Sequence, residues 1–313
     1  MKKKTLTIKL KPLTPNAGII NWYVRKLRGL VRVMRKATEK RLRELYREDK
    51  SEIEIKVAQD ASPATEFTLA IDQAESAVNV YINTEAFKII AEMLTKVNNA
   101  SSSQFKIWRD ELVHELPESR IEMYEKSHPF KQLKEAKEIE KIKENLYKIP
   151  GNMLESLPPD VADVIQASIE ENVSLIRSIA SKYFDDITGQ VMRFIGSGSS
   201  YSQFSDYLKT LGAKTERRAE LIAQDQTRKA FSTINLHRMA DAGISKFRWI
   251  HTNSGAQPRE YHKNVLNGQV FDIENPPIIE PTKGIKGYPA QLPFCRCVMA
   301  PVIELDKKTP LDD

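Results

Sequence analysis

The sequence predicts an α+β protein: a mostly helical N-terminal region and further long helices, then a small β-rich unit near the C-terminal end. Three observations carry this reading. Apolar residues recur at helical spacing in several runs between residues 20 and 243. Gly243 then stops the last run, and short apolar segments follow, punctuated by Asn267-Gly268. Pro150-Gly151 and Pro158-Pro159 mark a boundary, because prolines end helices and a pair rarely sits inside one. The expected organisation is a helical region over residues 1–157, with a basic arm over 1–50. A domain over 158–305 follows, with helices across 160–243 and a β-rich unit across 246–303, and a tail over 306–313.

The chain has 313 residues, 41% of them hydrophobic, which suits about two domains with ordinary cores. No apolar run approaches the roughly 20 residues of a membrane span, so no membrane partner is expected. The start is broken by Lys9, Lys11 and Pro12 where an export signal needs an apolar stretch. The net charge of +6 conceals an asymmetry: residues 1–50 hold 16 Lys/Arg against 4 Asp/Glu, and the rest holds 32 against 38. Attraction to phosphate or to an acidic surface therefore belongs to the N-terminal arm.

From Ile20 to Leu45, Ile20, Val24, Leu27, Val31, Met34, Leu42 and Leu45 form one helical stripe. Arg25, Lys26, Arg28, Arg32, Arg35 and Lys36 crowd the other sides, as a DNA-binding or partner-binding surface would require, although a solvated face of a packed helix has the same pattern. Residues 51–57 alternate as a short strand. Helices are expected over Thr84–Val97 and Ser103–Leu116, parted by the turn formers between Asn98 and Ser103, with Trp108 in the core. A charged helix with a narrow apolar stripe is expected over residues 130–148, laced by pairs such as Glu144 with Lys148.

Asp160 is a suitable N-cap for a long helix carrying Ile176, Tyr183, Ile187 and Val191 and ending at Gly196. Residues 196–200 resemble a phosphate loop only superficially, lacking the Gly-Lys-Ser/Thr ending, and are read as a hinge. A short helix through Phe204 and Leu211 is expected to stop at Gly212, before a longer one over 215–243. Phe247–Ile250 reads as a strand, and Val265–Phe271 as a hairpin about a two-residue Asn-Gly turn. Residues 275–293, with five prolines, have no regular period, and Val298–Ile303 is a closing strand.

Both cysteines, Cys295 and Cys297, flank Arg296. In an extended segment, residues two apart point to the same side, so the two sulfurs face one partner. One reading is a zinc site completed by His262 and His251, since thiolate and imidazole are the usual ligands. The other is a pair of reduced thiols packed like small hydrophobes. Two cysteines with no others in the chain fit a reducing compartment. A metal-dependent nuclease or hydrolase would draw on His251, Arg259, His262, Asp272 and the cysteines. The chain has no His-Glu-x-x-His, no paired Cys-x-x-Cys and no recognisable nucleophile motif, so the sequence predicts no enzyme. A third class, non-specific DNA binding, rests on the basic arm. Only Trp22, Tyr23 and Tyr46 there are able to stack on bases, which disfavours single-strand reading.

The order of these features resembles the phage Mu F-like family of head morphogenesis (minor head) proteins. The resemblance runs over roughly residues 165–303. It is carried by EENVSLIRSIASKYFDDI, by RRAELIAQDQTRKAFSTINLHRMADAGI leading into FRWIHT, and by PREYHKNVLNGQVFD and GYPAQLPFCRCVMAPV. Within these, Arg259-x-x-His262, Gly268-x-x-Phe271 and Pro293-x-Cys295-Arg296-Cys297 fall in the family's order, with Arg217 and Trp249 ahead of them. The chain departs from the family pattern with Gln224 and Gln226, where arginine and glutamate are frequent. The resemblance implies a non-enzymatic, low-copy component of a tailed phage's head, in the virion and, during assembly, the bacterial host cytoplasm. It also implies association with the portal protein and other head proteins, a role in head assembly and DNA packaging or delivery, and a variable, partner-specific N-terminal half.

Overall fold

The computed structural model describes residues 5–50, 63–115, 159–197, 201–253 and 258–306. The expected strand over 51–57, the charged helix over 130–148, and most of the hinge over 196–200 lie outside them. The described chain is α+β and mostly helical, with a small antiparallel sheet, as expected. It divides into two compact units, each discontinuous in sequence: residues 17–93 with 162–226, and residues 1–16 with 94–161 and 227–313. Each unit therefore draws on segments from both sides of position 158, where the sequence places a boundary.

The first unit is built from four helices: α1 (Ala17–Lys50), the first part of α2 (Pro63–Glu115), α3 (Pro159–Ser197) and the first part of α4 (Tyr201–Asp241). Val24, Leu27, Val31, Met34 and Leu42 of the α1 stripe are buried, joined by Tyr23 and Leu30. Ile176, Tyr183, Ile187 and Val191 of α3 are buried as well. The expected stop at Gly212 is absent, because α4 runs straight through it. A Cβ at Gly212 would lie 2.8 Å from Arg35 Cδ, so the space beside the glycine is taken by the Arg35 side chain of α1. Buried polar groups link three of the helices. The Tyr23 hydroxyl donates to Asn172 Oδ1 (3.1 Å), Asn172 Nδ2 donates to Gln226 Oε1 (2.9 Å), and Gln226 Nε2 donates to Glu171 (3.1 Å). Burial holds the Tyr23 hydroxyl well above its ordinary value of 10.0.

The second unit carries the sheet, with strand order β1-β6-β2-β3 and every neighbour antiparallel. Its strands are β1 (Thr5–Lys9), β2 (Lys246–Ile250), β3 (Val270–Asp272) and β6 (Val298–Asp306), while β4 (Ile278–Glu280) pairs with β5 (Ile285–Lys286) in a second, two-stranded sheet. The start of the basic arm is thus not a free extension. Ile8 pairs with Ile303, and Leu10 N–H still reaches Pro301 O (3.3 Å). Pro301 has no N–H to return that bond, and the regular β1 ladder stops one residue earlier, at Lys9 opposite Val302.

The expected break between Asn98 and Ser103 is also overturned, since α2 is continuous from Pro63 to Glu115. The polar residues are used sideways instead: Ser101 Oγ donates to Asn235 Oδ1 (2.7 Å), and Arg238 donates to Asn98 Oδ1, all four being buried. Trp108 is core, 4.7 Å from the ring of Phe105. Helix α4 ends as expected: Gly243 has φ +75°, its N–H bonds Ala240 O (2.9 Å), and Ile244 N–H bonds Met239 O (2.8 Å), the paired bonds of a Schellman cap.

Candidate functional site

Three short segments of the second unit converge on one buried cluster. Strand β2 alternates, burying Phe247 and Trp249 between the partly exposed Lys246, Arg248 and Ile250. The strand expected at Val265-Leu266 is not one. His262–Leu266 forms a π-helical turn that buries His262 and Leu266. A type II turn follows, with Asn267 at φ −59°, ψ 128° and Gly268 at φ +83°, closed by Gln269 N–H to Leu266 O (3.1 Å). Asn267 keeps a negative φ here, and its Oδ1 accepts from His251 N–H (2.9 Å). β3 accordingly pairs with β2, placing Phe271 opposite Phe247, rather than with the residues before the turn.

The third segment leads into β6. Ala290 and Phe294 take left-handed backbone conformations, φ +69° and +59°, which bend the chain so that Cys295 and Cys297 both turn inward. Such conformations are unusual for residues with a Cβ. Arg259 donates to Pro293 O (2.9 Å) and Thr252 Oγ1 to Arg296 O (3.0 Å), holding the bend from outside. In the cluster, His262 Nδ1 lies 3.5 Å from Cys295 Sγ and 3.7 Å from Cys297 Sγ, while Nε2 is 3.0 Å from Ile279 O. Only an N–H satisfies that carbonyl, so Nε2 carries the proton and the Nδ1 lone pair faces the sulfurs. The Trp249 ring stands edge-on to His262 at 5.1 Å.

Within the cluster the two thiols are unlike. A hydrogen bond from Cys297 leads the causes that lower Cys295, against the opposing effect of burial. Cys297 is pushed up, first by donating to Cys295, then by burial and by the neighbouring charge. The first proton is lost far more readily than the second, as expected for two sulfurs sharing one site.

His262, Cys295 and Cys297 are therefore brought together, whereas His251 is not: its Nδ1 is engaged by Asn253 Oδ1 at 2.8 Å. Gly268 serves the turn and Trp249 the wall. Arg217 belongs to the helical unit, where it pairs with Glu220 (2.9 Å). The Ile279 carbonyl had no sequence signal, since β4 is three residues among prolines.

The basic face of α1 is less open than its charge suggests. Arg28 pairs with Glu220 (2.8 Å), Arg32 with Glu216 (3.5 Å) and Arg35 with Glu39 (3.3 Å). Lys26 lies 5.5 Å over the Trp22 ring. Arg25, Lys26 and Lys36 are exposed. No helix among the described residues is long and apolar enough to cross a membrane.

Residues 185–300 match the family model described as Phage Mu protein F like protein. The matched stretch runs from the second half of α3 through α4 and the Cys-His cluster into β6, and it bears out the resemblance read from the sequence: this part of the chain is Mu F-like. A Haemophilus influenzae (strain Rd) protein described as uncharacterized is similar, 32% identical over 146 residues. That alignment covers 47% of this chain but 31% of the relative, so the chain spans about a third of the relative's length. No solved structure matches.

Proposed function

We propose that this chain is a minor head protein of a tailed phage or prophage, associated with the portal vertex and acting in head assembly and in DNA packaging or delivery. The observation that carries the reading is the Mu F-like match over residues 185–300, which encloses the Cys-His cluster together with β2, β3 and the start of β6. The portal and other head proteins are the partners, the virion its final location and the host cytoplasm its place of assembly. The role is structural rather than catalytic. Residues 158–305 act as the Mu F-like part and the preceding half selects the partner.

Arg25, Lys26 and Lys36 form the contact surface on α1 for DNA or an acidic head protein; Arg28 and Arg32 are paired with acids of α4, and Arg35 with Glu39 of α1 itself. Co-expression with the portal and head genes of the same phage or prophage, followed by affinity purification, tests the main reading. Co-purification with a head protein is expected. Failure to retain any head protein, with salt-sensitive duplex binding that is lost on reversing the charges of Arg25, Lys26 and Lys36, would favour the DNA-binding alternative.

A further inference from the structure

His262, Cys295 and Cys297 are 2%, 3% and 4% exposed, and their ligand atoms all lie within 4.8 Å of one another. Zinc holds imidazole nitrogen at about 2.0–2.1 Å and thiolate sulfur at about 2.3 Å, and at the tetrahedral angle these bonds set nitrogen and sulfur about 3.6 Å apart. The separations of 3.5 and 3.7 Å between Nδ1 and the two sulfurs straddle that value.

Hydrogen bonds run through the cluster, from Cys297 to the Cys295 sulfur and from one thiol to Nδ1, but they do not call for both sulfurs at nearly the same distance from Nδ1. With Nε2–H given to Ile279 O, Nδ1 has a single lone pair, which accepts one thiol proton and not two. A cation satisfies the lone pair and both sulfurs at once. The carbonyl on Nε2 is also the outer partner that metal-bound histidines usually have, fixing ring orientation and tautomer. Soft thiolate donors select zinc over magnesium or calcium.

We propose that His262 Nδ1, Cys295 Sγ and Cys297 Sγ bind one zinc ion, which fastens the π-helical turn to the segment entering β6. Binding displaces the thiol protons to solvent and leaves two thiolates neutralising the divalent ion. No fourth His, Cys, Asp or Glu joins the group among the described residues, so water completes the tetrahedron. The site stands independently of any role in a phage head.

The test uses the full chain purified from zinc-supplemented cells and exchanged into metal-free buffer. Plasma mass spectrometry is expected to find about one zinc per chain. That content is lost in Cys297→Ser and His262→Ala and kept in His251→Ala, and chelation lowers the Tm of the wild type. Cobalt(II) added to the stripped wild-type chain is expected to give a thiolate charge-transfer band and the visible bands of tetrahedral coordination. This second measurement stands even if a ligand variant fails to fold. Substoichiometric zinc together with absent cobalt bands in a folded wild-type chain would overturn the proposal, as would full zinc content in folded Cys297→Ser and His262→Ala chains.

Discussion

The helical unit and the sheet unit solve the same problem, burying polar groups, in different ways. In the helical unit the buried polar groups form an amide and hydroxyl chain, Tyr23 to Asn172 to Gln226, laid across helices whose apolar stripes supply the core. The second unit repeats that pattern on its helices, with Ser101 to Asn235 and Arg238 to Asn98, but its β-rich part has short strands and irregular connections and gathers two thiols and an imidazole at one point beneath Trp249. Extended periodic packing spreads stabilisation over many contacts. A small β-rich unit depends on a few residues, so single changes there should cost more.

The sharpest way to break that contrast is Trp249→Ala. The side chain is fully buried between β2 and the cluster, and its loss should cost about 3–5 kcal/mol, measured by denaturant titration. Amide exchange should rise first in β2 and β6. A cost below that of the helical-unit change described next would contradict the comparison.

In the helical unit, Tyr23→Phe removes the donor to Asn172 and leaves a buried acceptor short of one partner, which should cost about 1–3 kcal/mol. It also carries a pH signature. Because burial raises the Tyr23 pKa in the folded state, its hydroxyl favours folding below the unfolded value of 10.0, and that contribution falls as pH climbs above it. Wild-type stability should therefore decline more steeply above pH 10.0 than that of Tyr23→Phe.

Gly268→Ala probes the turn that delivers His262. At φ +83° an alanine is strained although nothing lies within 4 Å of its Cβ, so about 1–2 kcal/mol should be lost for conformational reasons alone. The smallest effect belongs to Arg32→Ala. Its 3.5 Å pair with Glu216 is largely solvated, and thermal unfolding should report a change of at most about 1 kcal/mol.

What was legible in the sequence follows the same division. The stripes of α1 and α3 were readable because one helix repeats its signal over many residues. Local rules failed where a residue answers to a partner far along the chain. Gly212 reads as a stop but admits Arg35, and the Asn98–Ser103 cluster reads as a turn but pairs with Asn235 and Arg238. β1 carries a strand's alternation, with Leu6 and Ile8 between Thr5, Thr7 and Lys9, but nothing local to it points to its partner β6, almost a whole chain away. In the site, the Cys-x-Cys spacing correctly implied two sulfurs facing one group, and His262 was that group. His251 was an equal candidate on residue type alone, and only the fold turns it toward Asn253.

The proposal that this chain, Mu F-like over residues 185–300, is a component of a phage head is tested most directly on particles. Phage particles made with and without its gene should be purified, analysed by protein mass spectrometry and assayed for infectivity. The chain should be present at low copy in wild-type heads, and its deletion should lower the yield of filled, infectious particles. Its absence from purified heads, with normal assembly and infectivity after deletion, would contradict the account.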